Sequence, residues 1–394
     1  MRSVPKVKTA VVGCGMISDV YIHNLQNFFS IIDVVALCDH LRENAEEKAR
    51  LYGVKRIVTM EDMMQDDDVE LVVNLTGPQA HYEVTRAMLS VGKHVFTEKP
   101  LAPNLEQAQA LVCLAEEKNL YLGAAPDTIL GAGVQTARKL LDAGMIGRVT
   151  SAVVTASRDQ SLNAEVYRFL RENGGAFPWD IGIYALSALF CLLGSVTRVS
   201  AMGMKAPVHG AQVWHLNTPE EEWQIPGLNL LAGTLLFENG TIATLHFDGN
   251  VCNAGEGKVT LYGTEGVLQL SGPENFGGTV RLLRKESGDC IVPFTHGYNG
   301  ENVFSPGSPM EKGGHRGVGA AEMAWAIRMK RPNRCSGEYA LHAVEVLHGL
   351  ETAAQTGRSY DVRSRFSMKP LHSGYTCTLM GGKWRGDAER SLVE

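Results

Sequence analysis

The chain has 394 residues, 44% hydrophobic and 20% charged, with 37 Lys and Arg against 43 Asp and Glu and a formal net charge of −6. That length exceeds one ordinary hydrophobic core, so two domains are expected, and the composition excludes a disordered chain. With no basic run to track phosphates, no nucleic-acid partner is expected.

Eight cysteines lie scattered without a Cys-x-x-Cys pair, which argues against a disulfide framework or thiolate zinc site and points to a reducing cytoplasm. The twelve histidines include no His-x-x-x-His pattern, so no metal is expected. The apolar run Thr9–Ile17 follows Arg2, Lys6 and Lys8 but has no cleavage site and reads as a strand. The uncharged stretch Ile181–Thr197 reads as a buried helix with its exit loop, so no membrane contact is expected.

In chain order, β-branched runs predict strands at Val7–Val12, Val34–Cys38, Arg56–Thr59, Leu71–Leu75, His94–Thr97 and Tyr121–Ala124. Helical spacing predicts helices at Ser18–Phe29, Arg42–Tyr52, Ala80–Ser90 and Leu105–Lys118 between them. This alternation is the signature of an α/β, doubly wound parallel sheet over residues 1–125. After Pro126 the rhythm changes. A helix at Gly133–Ala143 leads into hairpins, Leu230–Phe237 with Thr241–Phe247 around Asn239-Gly240, and Val259–Tyr262 with Val267–Leu270. Residues 126–362 are therefore expected to form a second domain on a mainly antiparallel sheet. A Gly/Pro/Ser-rich loop, Gly297–Gly314, precedes helices at Val318–Met329 and Tyr339–Thr356, and the tail 363–394 receives no role.

Gly13-Cys14-Gly15-Met16-Ile17-Ser18 lies where the first strand turns into a helix. Gly13 permits the tight turn, and Gly15 lets the backbone approach a pyrophosphate that helix N-terminal amides at Met16 and Ile17 would meet. Asp39 ends the second strand about twenty residues on, where a carboxylate accepts from a ribose diol and repels a 2′-phosphate. NAD is thus expected over NADP, although His40 and Arg42 could hold a phosphate. Glu98-Lys99-Pro100 follows the fifth strand, where open α/β sheets place ligand contacts.

Together with Gly174-Gly175-Ala176 and Asp180-x-Gly182-x-Tyr184, these segments resemble the glucose-fructose oxidoreductase, inositol dehydrogenase and rhizopine-catabolism (Gfo/Idh/MocA) family over about Val7 to Val362. The resemblance implies an N-terminal Rossmann domain and a C-terminal α/β domain whose open sheet forms a homo-oligomer interface. It also implies bound NAD(P) and hydride transfer at a ring carbinol of a sugar, glycoside or cyclitol. Lys99 and Asp180 match the family's active-site lysine and aspartate. Tyr184 stands where many members carry histidine, like the glucose-fructose oxidoreductase, xylose dehydrogenase and dihydrodiol dehydrogenase branch. The loop with Thr76 and His81 corresponds to one beside the cofactor. Gly131-x-Gly133-x-Gln135-Thr136 and Arg334-Cys335-Ser336-Gly337-Glu338 are similar to a glycoside 3-dehydrogenase branch.

Hydride transfer from a carbinol needs a base for the hydroxyl proton. Asp180 and Tyr184, four apart, would share a helix face. Tyr184 is the preferred proton donor and acceptor, Lys99 orients the substrate oxygen, and Asp180 anchors a hydroxyl or fixes Lys99. Which of Lys99 and Tyr184 is the immediate base stays open. Asp127, Tyr167 and Arg168 are further substrate-binding candidates, although Asp127 could instead cap a helix. Two alternatives remain: glycoside cleavage through transient oxidation and elimination, and a non-catalytic nucleotide-sensing regulator on the same fold.

Overall fold

The computed structural model describes residues 4–208, 223–285, 288–299 and 315–371, excluding the side chains of residues 253–256. The first region alternates β1 (Val7–Val12), α1 (Ser18–Asn27), β2 (Ile32–Cys38), α2 (Arg42–Tyr52), β3 (Arg56–Ile57), α3 (Met60–Gln65), β4 (Leu71–Asn74), α4 (His81–Ser90), β5 (His94–Thr97), α5 (Leu105–Glu117) and β6 (Leu122–Ala124). The six strands are parallel in the order β3-β2-β1-β4-β5-β6. The order therefore reverses between β1 and β4. β4 buries all four of its residues and β1 all but Lys8, as a strand covered on both faces must.

The second region adds α6 (Ala132–Asp142), β7 (Val149–Asp159), α7 (Gln160–Val166), α8 (Ile183–Leu193), β8 (Val196–Lys205), β9 (Leu228–Phe237), β10 (Ile242–Asp248), β11 (Asn250–Gly263), β12 (Gly266–Ser271), β13 (Thr279–Arg284), β14 (Gly288–Ile291), α9 (Val318–Met329), α10 (Gly337–Thr356) and β15 (Tyr360–Asp361). They build a nine-stranded sheet in the order β14-β13-β12-β11-β7-β10-β9-β8-β15, antiparallel throughout except that β10 and β7 run parallel. The hairpin at Asn239-Gly240 forms as expected: Gly240 takes φ +84° and the Asn239 side chain accepts from the Thr241 amide at 2.9 Å.

Every residue of α8 is buried, and it packs among α6, α10 and the inner face of the second sheet. A helix apolar on all sides is stable only in that position. It is the helix expected within Ile181–Thr197. It is preceded by a π-helical turn, Pro178–Gly182, that carries Asp180. Gly182 is forced there, because a Cβ would come within 2.7 Å of the Phe247 ring.

α9 and α10 pack against β5, β6 and α5 of the first region, so the two sheets share one continuous core. The segment after β15 is also built in: Phe366 packs on Tyr339 and His342, and the Leu371 amide donates to Gln135 Oε1 at 2.8 Å. The expected loop Gly297–Gly314 and tail 363–394 extend beyond this, 300–314 and 372–394 lying outside the described residues. Among the described residues, no helix is long and apolar enough to cross a membrane, and no three His, Cys, Asp or Glu side chains group as metal ligands would.

Candidate active site

A cavity of about 620 Å³ opens between the two sheets, at the carboxyl ends of β1, β4 and β5 where the strand order reverses. Open α/β sheets bind ligands at that position. One wall is the turn between β1 and α1. Gly13 adopts φ +94°, and a Cβ there would approach the backbone of Leu75 and Thr76 to 2.6 Å. A Cβ on Gly15 would instead meet nothing within 4 Å, and Gly15, Met16 and Ile17 line the cavity ahead of the α1 N-terminus. The first glycine is demanded by the fold and the second leaves room for a ligand, which is the division of labour a dinucleotide pyrophosphate requires.

Asp39 lies directly behind this turn. Its carboxylate accepts from the Cys14 amide at 2.7 Å and from the Leu41 amide at 2.8 Å, tying the end of β2 to the glycine loop. It does not itself line the cavity. Thr76 and His81 do. The His81 ring nitrogens stand 2.7 Å from the Pro100 carbonyl and 2.9 Å from that of Thr76, and burial holds its pKa below the ordinary histidine value. His81 therefore braces the loop on which Lys99 begins.

The floor of the cavity is charged. Lys99 Nζ donates to Asp180 Oδ1 at 2.6 Å and to the Asp180 carbonyl at 2.8 Å, and both side chains are only about an eighth exposed, 13% and 12%. Burial opposes charge on Lys99, but the Asp180 carboxylate, assisted by Tyr184 and Glu98, outweighs it and holds the lysine above its usual value. Burial likewise opposes charge on Asp180, and Lys99 outweighs it, with Gln160 donating to the other carboxylate oxygen at 3.0 Å. The pair is ionised. Tyr184, one helical turn beyond Asp180, lines the same cavity, with Lys99 Nζ 5.4 Å from its ring centre.

Arg316 was not foreseen. Its Nη2 donates to Tyr184 Oη at 2.7 Å, while Nη1 stands 3.4 Å from Glu98 Oε1, which also accepts from the Tyr21 hydroxyl at 2.7 Å. Asn24 holds the Arg316 carbonyl at 2.9 Å. Glu98 thus lines the cavity while anchored by Tyr21 and Arg316, its pKa lowered because Arg316 and Lys99 outweigh the effect of burial. In sequence, a lone arginine ahead of a helix carries no local signal, since its partners lie 132 and 218 residues away.

Asp127 corrects an expectation. It is fully buried, does not line the cavity, and accepts from the Gly317 and Gly319 amides at 2.8 and 3.2 Å, so it caps α9 instead of reaching substrate. Burial pushes its carboxyl up to about 6. Tyr167 and Arg168 do line the cavity, at its outer rim. The two segments similar to glycoside 3-dehydrogenases lie away from it. Gly131 and Gly133 pack on Phe276 and Gly277, and Arg334 pairs with Glu322, so these residues build the core.

With this geometry in hand, two family models match the chain. An oxidoreductase family with an NAD-binding Rossmann fold matches residues 7–125, and the GFO/IDH/MocA C-terminal domain matches residues 134–269. The chain belongs to the Gfo/Idh/MocA oxidoreductase family. Gfo/Idh/MocA relatives include an uncharacterized oxidoreductase of Schizosaccharomyces pombe, 29% identical over 50% of this chain and 54% of its own length. Another is the 1,5-anhydro-D-fructose reductase of Ensifer adhaerens, 28% identical over 60% of this chain and 67% of the relative. The chain thus spans about half the length of some curated relatives that it matches. Levoglucosan dehydrogenase, solved with NADH and levoglucosan, shares the fold at a TM-score of 0.76, with 19% identity, covering 91% of this chain and 99% of that one.

Proposed function

We propose that this Gfo/Idh/MocA protein moves a hydride between NAD and a ring carbinol of a sugar, glycoside or cyclitol. The observation that carries the reading is the convergence of Lys99, Asp180 and Tyr184 on one cavity whose opposite wall is the Gly15 turn. Gly15, Met16, Ile17, Thr76 and His81 would hold the dinucleotide, with Gly13 and Asp39 shaping the turn from behind. When bound, nicotinamide supplies the hydride acceptor or donor.

The chain's own residues handle the proton. An ionised Lys99 has no lone pair, so it serves as a hydrogen-bond donor that orients the carbinol oxygen and offsets alkoxide charge. Tyr184 is left as the group that takes or gives the proton. Arg316 donates to its phenol oxygen and offsets the charge that a departing proton leaves there. Asp180 keeps Lys99 charged, and Gln160 keeps Asp180 in place. Domain roles follow: residues 1–125 bind cofactor and 126–362 supply substrate contacts.

Asp39 favours NAD, because a buried carboxylate beside the glycine turn repels a 2′-phosphate. Spectrophotometric reduction of NAD and NADP against aldoses, inositols and glucosides tests the reading. NADH formation on at least one polyol is expected; cofactor binding with no turnover across the panel would return the regulator alternative, and glycoside cleavage without net NADH would return the elimination alternative.

A homo-oligomer through the second sheet is also proposed. Met202, Met204, Val153, Leu236, Ile242 and Tyr262 are exposed and share its outer face by cross-strand register. Light scattering is expected to give a dimer or tetramer that Ile242→Glu weakens; a monomer at micromolar concentration would reject this. The seven described cysteines are free thiols, consistent with the proposed cytoplasmic setting.

A further inference from the structure

We propose that the substrate carries a negatively charged substituent, a carboxylate or a phosphate, and that Arg158 selects it. The inference rests on the preceding reading that the cavity binds a sugar-like alcohol, and it names the class of that alcohol.

Elsewhere in this fold, the partly or fully buried arginines have partners: Arg316 pairs with Glu98, Arg328 with Glu70, Arg334 with Glu322 and Arg138 with Asp142, while Arg171 donates to the Ala164 carbonyl and lies over the Trp223 ring. Arg158 breaks that pattern. It is half-buried and lines the cavity, yet among the described residues its side chain makes no hydrogen bond and no ion pair. A guanidinium withdrawn partly from water without an acceptor is costly, and carboxylate or phosphate oxygens match its planar fork.

The acids that share the cavity wall are already committed. Asp180 is held by Lys99 and Gln160, and Glu98 by Tyr21 and Arg316, while Glu274 is engaged with other groups. Among the described residues that line the cavity, no acid is left to pair with Arg158, and an anionic group on the bound ligand would fill that role.

The position of Arg158 is fixed from both sides. It is the penultimate residue of β7, followed by Asp159, which caps α7 by accepting from the Ser161 and Leu162 amides at 3.1 and 3.2 Å. Next comes the fully buried Gln160, which donates to Asp180. The charge of Arg158 reaches Asp180, where it helps to lower the carboxylate's pKa, so the guanidinium is part of the electrostatic surroundings of the Lys99–Asp180 pair.

Arg168, exposed at the rim of the same cavity, likewise has no hydrogen-bond or ion-pair partner among the described residues, so a second cation guards the approach. The dinucleotide pyrophosphate does not account for Arg158. It belongs at the Gly15–Ile17 turn of the first sheet, whereas Arg158 extends from the second sheet on the Asp180 side.

The test compares matched ligands on the purified full chain: D-glucose and D-galactose, their uronates, and their 6-phosphates. At least one anionic member is expected to exceed its neutral parent by about 30-fold in kcat/KM, and by about tenfold in calorimetric affinity for the NADH-loaded protein. The member preferred, uronate or phosphate, identifies the anion. In Arg158→Gln that anion-to-parent ratio should collapse to within about threefold, and Arg158→Lys should recover part of it. Neutral sugars binding as tightly as their acids would overturn the proposal, as would an Arg158→Gln variant that loses both classes equally or loses NADH affinity. If nothing is turned over with either dinucleotide, the proposed activity fails, and the calorimetric comparison alone still decides the anion subsite.

Discussion

Lys99→Met is expected to lower kcat by about a hundredfold or more while changing NADH affinity by less than about threefold. Among the described residues that line the cavity, the ammonium is the charged donor that Asp180 holds from one side, leaving it to meet a carbinol oxygen on the other. Methionine keeps the length and much of the packing but removes the charge. Removing it also leaves the Asp180 carboxylate buried with the neutral Gln160 amide still donating to it, and an uncompensated buried charge costs about 3–5 kcal/mol. A fall in rate could then reflect a disturbed fold. The double variant Lys99→Met/Asp180→Asn separates the two effects: with both charges gone, the unfolding midpoint should recover while turnover stays low. Tyr184→Phe is expected to lower kcat by a similar factor of about a hundred without disturbing the Lys99–Asp180 pair. Near-normal turnover in both Lys99→Met and Tyr184→Phe, read by NADH absorbance with any polyol the enzyme accepts, would remove the catalytic assignment.

Local signals made the first region legible. β1, α2, β5 and α9 have the expected bounds, because each couples an apolar run of the right period to a turn residue or cap nearby in the chain. Gly13 and Lys99 were readable for the same reason, since a strand end and the chemistry that follows it are neighbours in sequence. The second sheet was only partly readable. β7 was not anticipated, although it lies at the sheet's centre and carries Arg158, because its Ser, Thr and Ala residues dilute the apolar alternation. β8 runs its exposed methionines outward, which hides its period in the same way. Asp127 shows a different limit. Sequence could say that an aspartate after a strand might cap a helix, but the helix it caps starts 191 positions later, at Val318, and only the three-dimensional return of α9 reveals it. Arg316 is the extreme case, a residue whose meaning rests entirely on Glu98 and Tyr184.

Arg316→Met is expected to destabilise the protein by about 3–5 kcal/mol at neutral pH, as read by urea unfolding. Arg316 and Glu98 are 7% and 9% exposed, so the substitution removes the nearer of two cations from a carboxylate largely withdrawn from water, leaving Lys99 as the other. Tyr21 and the Lys99 amide still donate to that carboxylate, but neither brings a full charge. The double variant Glu98→Gln/Arg316→Met should recover much of the loss, because the amide needs no counter-ion. A loss below about 1 kcal/mol in the single variant would show that the pair is solvated and the electrostatic account wrong. Acid gives an independent check. In the wild type Glu98 has a lowered folded pKa, so its contribution is present above the ordinary glutamate value of 4.5 and is lost as the pH falls through the folded value. Without Arg316, burial is opposed by Lys99 alone, so Glu98 in the variant takes up its proton at a higher pH than in the wild type and loses less on acidification. The stability gap between wild type and Arg316→Met should therefore be widest near neutrality and narrow as the pH drops toward 4.5 and below. Catalysis should not follow stability in the double variant. Tyr184 would still lack the guanidinium that donates to its phenol oxygen at 2.7 Å, and kcat should stay depressed in a protein whose unfolding midpoint has recovered.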